Sequence, residues 1–265
     1  YRRRQIPQQD IGVMKFKCVI PSLGRPEEIQ SHPMLEKCHV VVAPDQLDDY
    51  KSGKRQPIAY HALEPTVKGL PATRNWILDN LWDKDEDFVW QVDDDLRHVT
   101  YMMTRAVRRI TDPDYMVDVV AHVGRAAMDA GTGLFGFAPT PKPMWRVPSK
   151  FIDVRGWASD HQMGVIDREL RFDENMRTRS CVDISLQCLL KHRFLWKDLR
   201  WHFLCDIRTG KGGLVASRTT EREQQAFDYL EKKWGKGLLK RHVPTKENKF
   251  NRTKFGAYSM SLSIR

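Results

Sequence analysis

The stretch Phe88-Val89-Trp90-Gln91-Val92-Asp93-Asp94-Asp95 decides how the rest of the chain is read. Five residues suited to a buried strand run straight into three adjacent carboxylates. Short apolar runs that alternate with helical patterns indicate α/β architecture, and in open α/β sheets ligands collect at the carboxyl ends of strands. An acidic run placed there is a candidate site, whereas the same run on a surface turn would not be. Neighbouring carboxylates repel one another, so something positive should compensate. In an extended segment alternate side chains point the same way, which lets Asp93 and Asp95 converge on one hard divalent cation, Mg²⁺ or Mn²⁺. Such an ion bridges a diphosphate and stabilises the charge that develops as it leaves.

Working outward, Phe16 to Ile20 reads as a buried strand ending at Pro21, followed by the loop Ser22-Leu23-Gly24-Arg25-Pro26. The amides and hydroxyl of that turn suit a nucleotide, with Arg25 near a phosphate or base. Further strands are expected at His39 to Ala43, Pro57 to His61 and Leu134 to Ala138. Leu70 to Trp82 reads as a helix with Pro71 in its first turn and Trp76, Ile77 and Leu81 inward; Arg74 and Asn75 on it are placed to reach a nucleobase or ribose. Tyr115 to Ala130 reads as a helix with Met116, Val119, Val120, Val123 and Ala127 on one face. Phe151 to Val154 and Gln162 to Ile166 are read as strands of a second, smaller sheet. Asp183 opens a downstream helix, where it is either an early-turn acid favoured by the helix dipole or a general base. Phe194 to Leu199 is a strand leading to His202, a structural histidine or a third metal ligand. Thr220-Glu221-Arg222-Glu223 is read as a capping box, opening a helix with Phe227, Leu230 and Trp234 inward that stops at Gly235.

The 265 residues suffice for one large α/β domain or two small ones. The net charge of +10 favours a polyanionic partner. From Lys232 to Lys254 nine bases face one acid, Glu247, a segment suited to phosphates. No apolar run approaches a membrane span, no signal peptide is expected from the N-terminal residues, and five cysteines without metal-like pairing are expected to be reduced core thiols. A cytoplasmic protein with no membrane and no obligate protein partner is the expectation from these features. The proline-rich loop Pro141 to Lys150 and residues Arg155 to His161 are expected to border an acceptor, with Trp145, Trp157, Asp160 and His161 as contacts. The loop Thr209 to Gly213 lacks P-loop spacing; its Lys211, together with Arg218, is placed to close over a diphosphate.

Taken in order, these pieces resemble the GT-A glycosyltransferases. Val19-Ile20-Pro21-Ser22 with Arg25-Pro26 is similar to their opening nucleotide-binding strand, and Leu70 to Asn75 to the helix before the acidic motif. Gln91 to Asp95 is similar to the strand with its D-x-D, and Val182-Asp183-Ile184-Ser185-Leu186 to the segment carrying the catalytic acid, although Val182 stands where many members have Glu. His202 lies where many place a metal-binding histidine. The resemblance covers roughly residues 15 to 205. It implies a Rossmann-like mixed sheet flanked by helices, a nucleotide-sugar donor (UDP being the commonest in this fold class) and Mn²⁺ or Mg²⁺. It also implies Asp93, Asp95 and His202 at the metal; Pro21, Ser22, Arg25, Arg74, Asn75, Asp93, Asp94, Lys211 and Arg218 at the donor; and Asp183 as base. The triple aspartate, size and basic charge further resemble the phage and kinetoplastid-type enzymes that glycosylate hydroxymethylpyrimidines in DNA. The expected organisation is a catalytic domain over 1–218, with a donor half near 15–110 and an acceptor half near 111–218, and a C-terminal helix with a basic tail over 219–265. The rival readings are a protein or glycan acceptor on the same fold, a nucleotidyltransferase, and a nucleic-acid-binding protein.

Overall fold

In the computed structural model the described residues are 13–102, 107–139, 151–159, 161–205, 219–242 and 259–262. Four strands, β1 (Phe16–Pro21), β2 (His39–Val42), β3 (Ala59–Ala62) and β4 (Phe88–Val92), are mutually parallel in the order β3-β2-β1-β4. The sheet continues through β9 (Gln162–Val165), β7 (Leu134–Phe137), β10 (Trp196–Asp198) and β8 (Ile152–Asp153), giving eight strands. β9 runs antiparallel to both β4 and β7. A second sheet has the order β11-β5-β6, from β5 (Leu96–Tyr101), β6 (Arg108–Ile110) and β11 (Trp201–Cys205), all antiparallel. β12 (Leu239–His242) and β13 (Ser259–Leu262) form a separate antiparallel pair.

This is the mixed α/β architecture with a small second sheet that the sequence indicates, but the membership of the sheets differs. The strands at Ile152–Asp153 and Gln162–Val165 belong to the large sheet, and the small one is built from strands following Asp95 and Leu199. β9 fits into the large sheet because Gly164, opposite Phe135, has no side chain: a Cβ there would collide with the Phe135 ring.

Strand periodicity divides the core. Val19, Val41, Val89 and Val165 face α2 (Leu70–Asn80), α4 (Ser180–His192) and α5 (Thr220–Trp234), joining Ile77, Val182 and Leu230. Ile20, Val40, Phe88, Trp90 and Val92 face the other way, onto α3 (Pro113–Ala130) and the inner side of the small sheet, joining Val120 and Phe203. α1 (Leu47–Lys51) lies between β2 and β3 and contributes buried Tyr50. α3 presents Met116, Val119, Val120, Val123 and Ala127 inward; Asp112 caps it through the amides of Asp114 and Tyr115, and Gly131 ends it at φ 83°. α5 is capped one residue earlier than its sequence indicates, by Thr219 accepting from the Arg222 amide at 3.3 Å. All five cysteines are buried and unbridged. Among the described residues no helix is long and apolar enough to cross a membrane.

Candidate active site at the carboxyl ends of β1 and β4

In the order 3-2-1-4 the chain reverses its direction of winding between β1 and β4, and a crevice opens where the loops after those strands part. Both loops carry the polar residues singled out above. Asp93, Asp94 and Asp95 form the turn between β4 and β5, and their burial alternates: Asp94 is buried, whereas Asp93 and Asp95 keep partial exposure.

Asp94 turns into the protein. Its Oδ2 accepts from Ser22 Oγ at 2.6 Å and its Oδ1 from Arg25 Nη1 at 2.6 Å. Tyr50 extends the network: its hydroxyl shares a hydrogen bond with Ser22 Oγ at 2.8 Å and accepts from the Arg25 amide at 2.9 Å. Ser22, Arg25 and Asp94 therefore tie the β1 loop to the β4 turn, and a sugar or ribose contact through Asp94 is replaced by this internal role. Pro21 ends β1 opposite Val41, and the next amide, of Ser22, donates to the Val41 carbonyl.

Asp93 is held from two sides. Arg74 Nη2 donates to its Oδ1 at 2.9 Å, and His161 Nδ1 lies 3.3 Å from its Oδ2. The Asp93 amide also donates to the His161 carbonyl at 2.8 Å. His161, expected at an acceptor, thus stands in the carboxylate cluster. α2 buries Ile77 as the sequence indicates, with Leu81 buried just after it, but it also buries Arg74 and Asn75, while Trp76 is half-buried, its indole donating to Glu64. Gly69 at φ 92° and Pro71 set the start of α2, and Arg74, 1% exposed, lies over the Phe172 ring. Asn75 is not open to a nucleotide. Its amide donates to the Phe172 carbonyl and to Glu174, and its oxygen accepts from the Phe172 amide, each at 2.8 Å, so it fastens the segment before α4.

Three carboxylates thus face two guanidinium groups. Burial, followed by the Asp93 and Asp94 charges, pushes the Asp95 carboxyl up to about 6; burial also raises Asp94. Asp95 Oδ1 is buried and has no hydrogen-bond partner, and Cys205, whose thiol burial pushes well above its ordinary range, sits beside it. On β11, His202 is 5% exposed; its Nδ1 bonds the Ala138 carbonyl at 2.7 Å and its Nε2 is buried without a partner. Burial lowers its pKa, with smaller contributions from His161 and His98. Gln91 and Gln162, buried at the ends of β4 and β9, also have unpartnered carbonyl oxygens. Native proteins leave few such atoms unsatisfied, and those of Asp95, Gln91 and Gln162 lie at or next to the adjoining ends of β4 and β9.

A metal fits this set in part. The net acidity, Asp95 Oδ1 and His202 Nε2 suit a cation, yet among the described residues no group of three or more His, Cys, Asp or Glu side chains stands ready to hold one. That combination matches an ion completed by substrate phosphates, as Mg²⁺ is commonly bound through one or two carboxylates.

Asp183 does not reach the crevice as a base. It is fully buried in the first turn of α4. Its Oδ1 accepts from Trp234 Nε1 at 2.7 Å and from Lys233 Nζ at 2.9 Å, and its Oδ2 from Gln187 Nε2 at 2.7 Å. Both oxygens are sealed under α5. Arg179, left-handed at φ 62°, introduces α4 and pairs with Glu223 of α5 at 2.6 Å, so the same helix fixes both. Trp157 is half-buried and packs on the core beside α4 rather than standing open as a stacking platform. Trp145, Asp160, Lys211 and Arg218 lie outside the described residues. Tyr50, Cys205, Gln91 and Gln162 join the site without a sequence signal, because only tertiary contact places them there.

No family model matches the chain, and no curated protein matches it. Solved structures of similar shape include Staphylococcus aureus TarS, at 15% identity and a TM-score of 0.42 over 73% of this chain and 35% of that one. Another is a protein named as a nucleotide-diphospho-sugar transferase from Desulfovibrio desulfuricans G20, at 12% identity and a TM-score of 0.39 over 84% and 99% of the two chains. A mycobacterial protein gives 13% identity and a TM-score of 0.43 over 94% and 83%. The chain spans about a third of TarS. At such identities and TM-scores these likenesses carry no argument, and the functional reading rests on the crevice itself.

Proposed function

We propose that the chain is a glycosyltransferase that moves a sugar from a nucleoside-diphosphate donor to the hydroxyl of a hydroxymethylated pyrimidine in DNA. The observation that carries the reading is the triple-carboxylate turn, with the buried, unpartnered Asp95 Oδ1, at the carboxyl end of β4 beside the switch point with β1. A divalent cation brought with a diphosphate would meet the lone pairs of Asp95 Oδ1 and His202 Nε2, the atoms left without a partner, while Asp95 Oδ2 already faces Arg25 Nη1 at 3.5 Å. The network of Ser22, Arg25, Tyr50 and Asp94 holds the turn in place before the donor arrives, which lowers the ordering cost of binding.

Mn²⁺ or Mg²⁺, held by Asp95 with either Asp93 or His202 and completed by the donor, would neutralise the departing diphosphate. In the transfer, the acceptor oxygen bonds to the sugar C1 as the bond from C1 to the phosphate oxygen breaks, and the nucleoside diphosphate leaves. The hydroxyl proton needs an acceptor, and sealed Asp183 is not available. We assign proton removal to His161, whose ring is oriented by Asp93 in the carboxylate–imidazole arrangement common to general bases. The DNA acceptor is supported by the charge of +10 and by the basic C-terminal run.

The test is transfer from a panel of nucleotide sugars, with Mn²⁺, to DNA carrying cytosine, 5-hydroxymethylcytosine or 5-hydroxymethyluracil, read by mass spectrometry of the digested nucleosides. A glycosyl adduct on one hydroxymethylated base, lost in Asp95→Asn, is the expected result. Metal-dependent consumption of a nucleotide sugar without any DNA adduct would retain the transferase and remove the DNA acceptor. Binding of DNA with no turnover of any donor would remove both.

A further inference from the structure

Between β8 and β9 the chain travels from Val154, whose carbonyl accepts from the Leu195 amide just before β10, to His161 beside Asp93. β4, β7 and β10 run parallel to one another, and β8 and β9 run against them. The connection therefore climbs one face of the sheet toward its carboxyl ends. Packing shows which face. Ala158 is fully buried in the cluster shared with α2, α4 and α5, and a Cβ on Gly136 of β7 would come within 3.2 Å of the Ala158 Cβ. Gly156, at φ 86°, passes close to the amine of Lys197 on β10, which pairs with Asp153 at 2.7 Å. Small residues at 136, 156 and 158 let the connection lie between the sheet and α4.

Ser185 of α4 grips this backbone. It is fully buried, and its Oγ accepts from the Ala158 amide at 3.0 Å and donates to the Cys181 carbonyl at 2.7 Å. An amide only donates and a carbonyl only accepts, so the hydroxyl proton goes to Cys181 and a lone pair to Ala158. The helix does not require this hydroxyl. The surrounding residues of α4, Val182, Ile184, Leu186 and Cys188, are buried and apolar. Alanine is the better helix former, and a serine that bonds back to the carbonyl four residues earlier slightly weakens a helix. The buried hydroxyl is explained by the amide it satisfies. Three residues on, the same backbone delivers His161. Its amide donates to Ser159 Oγ at 3.4 Å, its carbonyl accepts from the Asp93 amide at 2.8 Å, and its Nδ1 meets Asp93 Oδ2 at 3.3 Å. A carboxylate oxygen accepts, so Nδ1 carries the ring proton and Nε2 the lone pair.

We infer that Ser185 is a positioning residue for His161: through the Ala158 amide it holds the connection at the height where the imidazole meets Asp93, with Nδ1 protonated and Nε2 able to take the acceptor proton. What His161 does rests on the proposed function; how it is held rests on these hydrogen bonds. A misplacement of about 1 Å at a reacting group costs about a hundred-fold in rate. An anchor three residues away therefore matters although it touches neither donor nor acceptor.

The test compares Ser185→Ala, Gly136→Ala and Cys188→Ala. The first removes the anchor, and the second presses on Ala158 from the sheet side. The third is a matched loss on the same helix, where Cys188 contacts Thr132 and Phe194 instead. Long-range proton–nitrogen correlation spectra of the histidine rings, taken without added metal at a single pH of about 8.5 where ordinary imidazoles are neutral, read the His161 tautomer. The parent protein should show the Nδ1–H form. Ser185→Ala and Gly136→Ala should convert it to a mixture with the Nε2–H form, and Cys188→Ala should leave it unchanged. Amide exchange at Asp93 should accelerate about ten-fold in the first two variants and not in the third. In the transfer assay, Ser185→Ala should lower kcat about ten- to hundred-fold with the donor KM within about two-fold of the parent value, the split expected when only the transition state loses an interaction. Cys188→Ala should keep both constants. An Nδ1–H form retained in Ser185→Ala, an equal tautomer change in Cys188→Ala, or an Nε2–H form in the parent protein would overturn the positioning role. A changed tautomer with unchanged kcat would leave Ser185 holding His161 and remove His161 as the base. No transfer by the parent protein would remove the transferase, while the tautomer and the Asp93 exchange would still decide whether Ser185 positions His161.

Discussion

Replacing Asp183 separates a structural carboxylate from a catalytic one. Its oxygens accept from Trp234, Gln187 and Lys233 at 2.7, 2.7 and 2.9 Å. Hydrogen bonds to a charged group are each worth about 1.5–3 kcal/mol when made in the interior. The sum is an upper bound, since removing the carboxylate also removes its own desolvation cost. The Lys233 share is smaller again: that side chain is 34% exposed and keeps Asp173 at 2.7 Å, so its pairing is screened toward surface values of about 0–1 kcal/mol. Asp183→Ala should then cost about 3 kcal/mol, mostly through the stranded indole and amide donors. At about 2–4 °C per kcal/mol for a chain of this size, the midpoint falls by about 6–12 °C. Asp183→Asn, which keeps the volume and part of the bonding, should cost about 1–2 kcal/mol. Thermal and urea unfolding followed by circular dichroism read both values. In a double-mutant cycle, Trp234→Phe should lose about 1 kcal/mol in the parent background and much less with Asn at 183. If Asp183→Asn melts with the parent protein yet abolishes sugar transfer, Asp183 is the base and the sealed arrangement under α5 is not the working one.

His39 and His61 stack with Nδ1 and Nε2 2.9 Å apart, and burial first, then His61 and Lys17, push His39 from its ordinary 6.5 down to about 4. A depressed histidine contributes stability that is full above the unfolded value and is lost as pH falls through the window toward the folded one, because the unfolded chain takes the proton first. Urea midpoints should therefore decline between about pH 6.5 and about pH 4 by about 1–2 kcal/mol after allowance for partial exposure, and His39→Gln should flatten that decline. Gly164→Ala drives a methyl into the Phe135 ring and should destabilise by about 1–3 kcal/mol; a melting point equal to that of the parent protein would show that β9 has room the packing denies. Asn75→Ala strands the Phe172 amide and carbonyl, with an expected loss of about 2 kcal/mol and faster amide exchange at Phe172; retention of slow exchange there would refute its fastening role.

Much of this protein is legible in its sequence because the signals are local. Phe88 to Val92 is the strand its apolar run indicates, and Met116, Val119, Val120, Val123 and Ala127 fall on one face of α3, since backbone geometry alone fixes periods of two and 3.6. The placement of an acidic turn at a strand's carboxyl end is equally local. What the order of residues does not contain is partner choice. Gln162–Val165 reads as a strand in any setting, but only the gap left by Gly164 beside Phe135 puts it in the large sheet. Asp183 at the start of a helix reads alike as base or anchor, until α5 returns across fifty residues of sequence and covers it with Trp234. Asp94 and Asp93 are adjacent and chemically identical, yet one is locked to Ser22 and Arg25 and the other faces His161. The sequence by itself determined the strands of the large sheet, the helices α2 to α5 and the acidic turn, because those follow from torsional preference and side-chain period, whereas the strands of the small sheet carried no such signal. Tertiary structure alone decided which carboxylates are sealed and which remain open, because burial and hydrogen-bond pairing depend on contacts between segments far apart in the chain.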